Sequence, residues 1–305
     1  MSSRCRRAGC AAALLLAATF AASPAAADDP APHRLAFAPD YSPFTAREYV
    51  LTTIVGAEYL GAEFLAPSPT SANWTGGILW DDAARRVFVL RTRSGRNLAS
   101  DISDAFTLEP QIQAFGLDSI AVPLLTDRFN ASVGWQLTAM NLQALSLTGL
   151  LTRLGFRIVA RERPSVAECR KDPDYSKSCR GEAPYASFPS GHTAAAFTAA
   201  ALACSHHANL PLYGGGAADV AACVVPLLFA TGDGVARLMA DRHWSTDVLA
   251  GMAVGLVSGV GMPYLFHYRY KSFFDHDGDD RVRFRWAWAP LASSDVLGVQ
   301  AIGLF

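Results

Sequence analysis

The chain has 305 residues, enough for one large domain or two small ones. Hydrophobic residues make up 51% and charged residues 17%, a balance that favours a helical protein with much buried or membrane-facing surface and excludes a disordered one. The net charge of -1 and the lack of a basic stripe argue against nucleic acid as a partner.

The N-terminus has the pattern of a secretory signal peptide. Three arginines precede a short apolar stretch over residues 11–22, and the small residues Ala25 and Ala27 fit a cleavage site before Asp28. We therefore expect an exported chain, placed in the periplasm or in the inner membrane with its site facing the periplasm. An uncleaved N-terminal anchor is the alternative, although the apolar run is short for a membrane span.

Four of the six cysteines follow this segment. Cys169 and Cys179 bracket the polar loop CRKDPDYSKSC, and because an exported chain meets an oxidising compartment we predict a disulfide between them. Cys204 and Cys223 lie in apolar helical segments, where we expect small buried hydrophobes. No cysteine spacing is typical of a metal site.

Helical patterns dominate the rest of the chain. A linker rich in Pro, Ala and Asp over residues 28–44 precedes a first candidate helix at 45–66. Apolar helical patterns then cover residues 110–126, 133–160, 191–207, 217–240 and 244–266. Helical segments joined by short loops predict an all-α fold, a helical bundle.

The C-terminal tail has a different pattern. In RVRFRWAWA, apolar side chains up to Trp286 and Trp288 alternate with arginines, and a period of two predicts a strand. VLGVQAIGLF is the candidate partner, which would complete a β-hairpin. We therefore expect four parts, namely a signal peptide (1–27), a linker with an N-terminal helix (28–78), a helical core (79–266) and this tail (267–305).

Three polar clusters carry the candidate chemistry. They are Arg163-Pro164, then Pro189-Ser190-Gly191-His192, then Arg237 with His243 and Asp247. Guanidinium groups suit bidentate phosphate binding, and a helix start offers free N–H groups to an anion. His243 and Asp247 are four apart, so on a helix they share a face, as an activated histidine nucleophile or base requires. Each cluster alone also fits a helix cap or a surface pair, but the ordered set indicates a phosphate site.

In this order the clusters resemble the type 2 phosphatidic acid phosphatase superfamily, which also contains bacterial non-specific acid phosphatases and vanadium haloperoxidases. Its pattern is Lys-x6-Arg-Pro, then Pro-Ser-Gly-His, then Ser-Arg-x5-His-x3-Asp. The second motif is complete here, whereas Ala236 replaces the serine of the third and Phe156 occupies the lysine position of the first. The resemblance implies a six-helix-type phosphatase core and phosphate-ester hydrolysis that needs no metal and no other cofactor.

The resemblance also implies roles by position. His243 would attack phosphorus and form a phosphohistidine, Asp247 would orient it, and His192 would protonate the leaving group and later activate water. The phosphoryl oxygens would be held by Arg163, Ser190, Gly191 and Arg237. On a continuous helix Phe156 would lie over Arg163, so the adjacent Arg157 is a candidate substitute for the lysine, and Arg161 is a less well directed one.

The expected substrate is a phosphomonoester or pyrophosphate, and the apolar helices favour a lipid phosphate and a membrane as its location. Residues 248–266 are long and apolar enough to cross a bilayer, and two further crossings are expected within 110–126 and 133–155. A fully periplasmic bundle is the alternative. The competing functions are a vanadate-dependent haloperoxidase and a non-catalytic protein that binds lipid phosphates.

Overall fold

The computed structural model describes residues 34–37, 41–180, 183–268, 285–292 and 297–304. The expected signal peptide (1–27), its cleavage site and part of the linker lie outside the described residues. The chain divides into two compact units, residues 1–271 and 272–305.

Helices follow one another through the first unit, which confirms the all-α fold expected from the sequence. The α-helices are α1 (Ala46–Phe64), α2 (Asp81–Phe88), α3 (Arg93–Gln111), α4 (Ala131–Val159), α5 (Val166–Lys171), α6 (Gly191–Asn209), α7 (Ala217–Met239) and α8 (Ser245–Pro263). Two π-helical segments, Ile112–Thr126 and Tyr264–Tyr268, continue α3 and α8, and a short 3-10 turn covers Lys177–Cys179. The second unit contains the strands β1 (Arg285–Ala292) and β2 (Leu297–Leu304), which pair antiparallel as the alternating tail predicts.

Helix α6 is the centre of the first unit and packs directly on α8. Most of its side chains are buried, and the alanines among them leave little bulk between its backbone and its neighbours. Three glycines of α8 face that backbone one turn apart. A Cβ atom on any of them would lie within 2.6 Å of a backbone oxygen of α6, with the pairs Gly251 to Ser190, Gly255 to Ala194 and Gly259 to Thr198. Small residues therefore set the spacing of the two helices, because only they let the backbones approach this closely.

Two disulfides join elements of the first unit. Cys169 and Cys179 are bonded, as predicted. Cys204 and Cys223 are also bonded, with Cα atoms 4.2 Å apart, so the expectation that they are isolated buried hydrophobes is wrong. The reason is that α6 and α7 pack side by side with these positions facing, a relation between two apolar helices that neither sequence segment reveals.

Two helices among the described residues are long and apolar enough to cross a membrane, Ala217–Met239 and Ser245–Tyr268. The second contains the span expected at 248–266. The segments 110–126 and 133–155, where two further crossings are expected, are not long and apolar enough by the same measure. Ala217–Met239 is, although no crossing is expected there. Polar side chains buried against neighbouring helices account for the difference: Gln113, Asp118, Asn141 and Gln143.

We predict that Gly255→Ala destabilises the protein by about 1 to 3 kcal/mol, because the added methyl overlaps the Ala194 carbonyl oxygen. Gly261→Ala is the matched control on the same helix, since a Cβ there meets no atom within 4 Å. That change should be neutral or stabilising by up to about 1 kcal/mol. Thermal unfolding of the purified variants measures the difference, and equal melting temperatures would contradict the packing described for α6 and α8.

Candidate active site

The three motifs meet where one loop and the ends of three helices lie side by side. Arg163 follows α4, Ser190 to His192 begin α6, Arg237 ends α7, and His243 to Asp247 lead into α8. The Ser190 N–H donates to the Asp247 carbonyl at 2.9 Å, which joins the second motif to the third. Arg163 Nη1 lies 3.4 Å from His243 Nε2, which joins the first to the third.

His243 is held as a neutral ring with one nitrogen available. Its Nδ1 lies 2.8 Å from the Ser187 carbonyl oxygen, which can only accept, so Nδ1 carries the hydrogen and Nε2 the lone pair. The side chain is buried, and burial together with Arg163 and Arg237 holds the pKa of His243 well below its usual range. The imidazole is therefore in the form that can act as a nucleophile at neutral pH.

Asp247 reaches His243 through Ser187 and does not bond to the ring directly. Its Oδ2 is 3.9 Å from His243 Nδ1, too far for a hydrogen bond. The Ser187 hydroxyl donates to Asp247 Oδ2 at 2.6 Å, while the Ser187 carbonyl accepts from His243. The expected direct contact is thus replaced by a bridge through one serine, which still fixes the ring and its tautomer.

Ser190 and Gly191 lie at the start of α6, where we expect them to bind an anion. Ser190 occupies the N-cap position, but its fully buried hydroxyl lies 2.9 Å from the Thr193 hydroxyl and bonds no backbone N–H of the helix. Gly191 is the first helical residue, and N–H groups of a first helical turn point out of the helix toward a ligand. The ordinary cap considered from the sequence is therefore not what the Ser190 hydroxyl forms.

Neither Arg157 nor Arg161 takes the place of the missing lysine. Arg157 donates to the carbonyl oxygens of Ala62 and Ala66 at 2.7 and 2.9 Å, on the side of α4 that faces α1. Arg161 is fully buried and bonds to Asp81 and Asp247. The physical reason is that α4 ends at Val159 and Ala160 adopts a left-handed conformation with φ 42°, so helical spacing does not extend to Arg163.

Phe156 takes the place of the lysine with an apolar ring. It is buried, and its Cζ atom lies 3.3 Å from the position a Cβ would take on Gly191. The ring thus lies against the glycine that opens α6. The site has one cation fewer than the family pattern implies, and it has an aromatic surface beside the anion-binding helix start.

Asp104 on α3 is a site residue that sequence reasoning missed. It accepts from Arg237 Nη2 at 2.8 Å and lies 3.3 Å from His192 Nε2. His192 and Arg237 together lower the pKa of Asp104 to about 2, so the carboxylate is ionised. His192 is about half exposed; desolvation and Arg237 lower its pKa while Asp104 raises it. No motif marks Asp104, because it lies in a charged helix far from the others in sequence.

Comparison with known proteins agrees with the motifs. The PAP2 superfamily model matches residues 137–271, which include every motif residue from Arg163 to Asp247. The chain carries a PAP2 superfamily region. This confirms the resemblance to the type 2 phosphatidic acid phosphatases that the motifs indicated.

Two known proteins are similar to parts of this chain. A lipid A 1-phosphatase of Porphyromonas gingivalis is 40% identical over 74 residues, which are 24% of this chain and only 15% of the relative's length. The crystal structure of a transmembrane PAP2-type phosphatidylglycerolphosphate phosphatase from Bacillus subtilis is similar with a TM-score of 0.46 at 16% identity. That match covers 72% of this chain and 94% of the other.

We predict that Asp104→Asn lowers the pKa of His192, because the carboxylate that favours the protonated ring is removed while Arg237 stays. A group whose pKa falls loses its proton at lower pH, so the His192 transition moves toward acid. NMR titration of the histidine rings measures it. Asp101→Asn is the control, since Asp101 is on the same helix and pairs with Lys177 instead. An unmoved His192 titration in Asp104→Asn would refute the assigned contact.

Proposed function

We propose that this protein is a phosphatase that hydrolyses a phosphomonoester or pyrophosphate, a lipid phosphate by preference, through a phosphohistidine on His243. The observation that carries the proposal is the neutral His243, whose Nε2 faces Arg163 next to the start of α6. The membership of residues 137–271 in the PAP2 superfamily and the curated relative named a lipid A 1-phosphatase support the same reaction.

The reaction proceeds in two balanced steps. The lone pair of His243 Nε2 attacks phosphorus and forms a P–N bond while the P–O bond to the leaving group breaks. His192 gives its proton to that leaving oxygen and becomes a base. It then takes a proton from a water molecule whose oxygen attacks phosphorus, so the P–N bond breaks, phosphate leaves, and both histidines return to their first state.

The charge that develops on the phosphoryl oxygens is met by groups already in place. Arg163 is held by the carbonyls of Ala183 and Arg242, and Arg237 by Asp104, so both guanidinium groups are oriented before substrate arrives. Fixed donors lower a barrier more than mobile ones, because they need no rearrangement during the reaction. Guanidinium groups and a helix start bind an anion directly, which supports a reaction that needs no metal.

A lipid substrate is supported by the surfaces of α7 and α8. Both helices are long and apolar enough to cross a membrane, and they expose large apolar side chains, with Leu228 65% and Val257 72% exposed. Helix α7 ends and α8 begins at the candidate site, so a bilayer around them would place the site at one membrane face. The signal-like N-terminus and the two disulfides favour the periplasmic face, since disulfides persist in oxidising compartments.

We predict that His243→Ala abolishes phosphate release and that Arg163→Gln lowers kcat/KM by about 100- to 1,000-fold, since each removes a group that acts on the transition state. Arg157→Gln is the matched control and should retain activity, because Arg157 bonds to Ala62 and Ala66 instead. Phosphate release from a lipid phosphate in mixed micelles and from a chromogenic ester, with a chelator present, measures these effects. Equal residual rates in wild type and His243→Ala would refute the mechanism.

A non-catalytic lipid-phosphate binder is the second candidate, favoured by Phe156 at the lysine position. The same preparations separate the two functions. A binder would retain a lipid phosphate on vesicles with no release of inorganic phosphate, and His243→Ala would leave that binding unchanged.

We also predict that the protein stays with the membrane fraction after a high-salt wash and is released only by detergent. The expected cause is burial of the exposed apolar faces of α7 and α8 in lipid, which salt does not weaken. Fractionation of cells followed by immunoblotting is the measurement. Release by salt alone would rule out spanning helices and favour a periplasmic bundle.

A further inference from the structure

Arg161 forms a buried ion cluster behind the candidate active site. Its guanidinium donates to Asp81 Oδ2 at 2.7 Å and to Asp247 Oδ1 at 2.6 Å, and all three side chains are fully buried. The indole rings of Trp74 and Trp244 lie over it, with centroids 4.2 and 5.2 Å from Cζ. One planar group thus joins α2, the loop after α4 and the first turn of α8.

Asp81 fixes the other end of this cluster. It accepts from the Ser245 hydroxyl at 2.6 Å and from the Thr246 N–H at 2.8 Å, which ties α2 to the start of α8. Burial acts to raise the pKa of Asp81, but hydrogen bonds from Ile78, Ser245 and Arg161 lower it to about 2. The carboxylate is therefore ionised and pairs with Arg161 throughout the physiological pH range.

Asp247 connects this ion cluster to His243. Besides Arg161, it accepts from the Ser187 hydroxyl at 2.6 Å and from the Trp244 N–H at 2.9 Å. Ser187 in turn accepts from His243 through its carbonyl. A connected series of short contacts therefore runs from Asp81 to the ring of His243.

We propose that Arg161 and Asp81 are positioning residues of the phosphoryl transfer, which fix Asp247 and compensate its charge so that His243 stays a neutral nucleophile. The proposal rests on the function proposed above. Both side chains are fully buried, and their contacts lead to His243 through Asp247 and Ser187. Lysine fills only part of the role: its ammonium keeps the positive charge but lacks the planar fork that spans two carboxylates.

The charge balance around His243 explains why compensation matters. The charged or titratable groups that face the ring are Arg163, Arg237, His192 and Asp247. Among them only Asp247 favours the protonated ring, and Arg161 pairs directly with that carboxylate. Without Arg161 one nearby cation is lost and protonation of the buried Asp247–His243 pair becomes easier, so the imidazolium, which cannot attack phosphorus, would become more stable.

The test is an NMR titration of His243 in wild type, Arg161→Gln and Arg161→Lys, with its resonance assigned by comparison with His243→Ala. We expect the pKa of His243 to rise by about 1 to 3 units in Arg161→Gln. It should stay near the wild-type value in Arg161→Lys, which retains the charge. We expect kcat to fall about 10- to 100-fold in Arg161→Gln with KM little changed. Losses of this size follow removal of the hydrogen-bond partners that orient metal-binding histidines, which are held in a similar way.

Arg96→Gln is the matched control, because Arg96 is also buried against an aromatic ring and bonds to Tyr175 and Leu90, away from Asp247. It should lower stability without moving the His243 titration. An unchanged pKa of His243 in folded Arg161→Gln would overturn the proposal. If that variant does not fold, Arg161→Lys decides, since it loses the fork to two carboxylates: wild-type kcat in that variant would overturn the positioning role.

The titration does not depend on turnover. If wild type hydrolyses no phosphate, the proposed function fails, and the His243 titration still reports whether Arg161 controls the ring. If wild type is active and the titration does not respond to Arg161, the function stands and the positioning role fails.

Discussion

Helices α6 and α8 touch backbone to backbone, and this contact positions the helix starts that carry Ser190 to His192 and Asp247. The alanines of α6 and the glycines at 251, 255 and 259 of α8 leave no side chain between the two helices. The contact fixes the height at which both helices begin. Ser190 to His192 start one helix and Asp247 lies in the first turn of the other. This packing, together with the hydrogen bond from the Ser190 N–H to the Asp247 carbonyl, brings the start of α6 and the histidine loop together.

Electrostatics then determines what that place can do. Burial, with Arg163 and Arg237 nearby, keeps His243 neutral, and each arginine is oriented by an acceptor that belongs to the protein. A phosphate dianion entering this space would find cations whose orientation is already set. The carboxylates lie beside and behind the site: Asp104 bonds to Arg237 and His192, and Asp247 bonds to Arg161. The arginines thus lie near His243, while the carboxylates of Asp104 and Asp247 hold the arginines and histidines in place.

Phe156 at the lysine position is the main difference between this site and the family pattern. The ring lies against Gly191, so an apolar surface adjoins the helix start where the family pattern has a cation. A substrate bound at the start of α6, as proposed above, would have this apolar ring as a neighbour. Such an environment suits a phosphate attached to an apolar group better than a free, highly charged anion, in agreement with the lipid substrate proposed above.

The sequence predicted the helices and the motif residues well, because both depend on local patterns. The apolar periodicity located α6, α7 and α8 within a few residues, and the order of the motifs located His192, Arg163 and His243 at one site. Contacts between distant segments could not be predicted in this way. Asp104, Asp81 and Ser187 belong to no motif, and the Cys204–Cys223 bond depends on which faces of two apolar helices meet.

The positions of Arg157 and Arg161 also could not be predicted from local sequence patterns. Their assignment assumed that helical spacing continued from Phe156 to Arg163, and one left-handed residue, Ala160, ends that spacing. The turn at Ala160 sends Arg161 inward to Asp247 and leaves Arg157 facing α1. A single backbone conformation therefore reassigns two charged residues, and single-residue conformations of this kind leave little trace in composition or periodicity.

The central claim is that His243 carries the phosphoryl group during turnover. The most direct measurement is to mix enzyme with excess lipid phosphate, quench in alkali within the first turnovers, and map phosphorylated peptides by mass spectrometry. Alkali preserves the P–N bond of a phosphohistidine. The proposed mechanism predicts one phosphopeptide, which contains His243 and is absent from His243→Ala. Phosphate release with no phosphate on His243, or phosphorylation of a different residue, would contradict it.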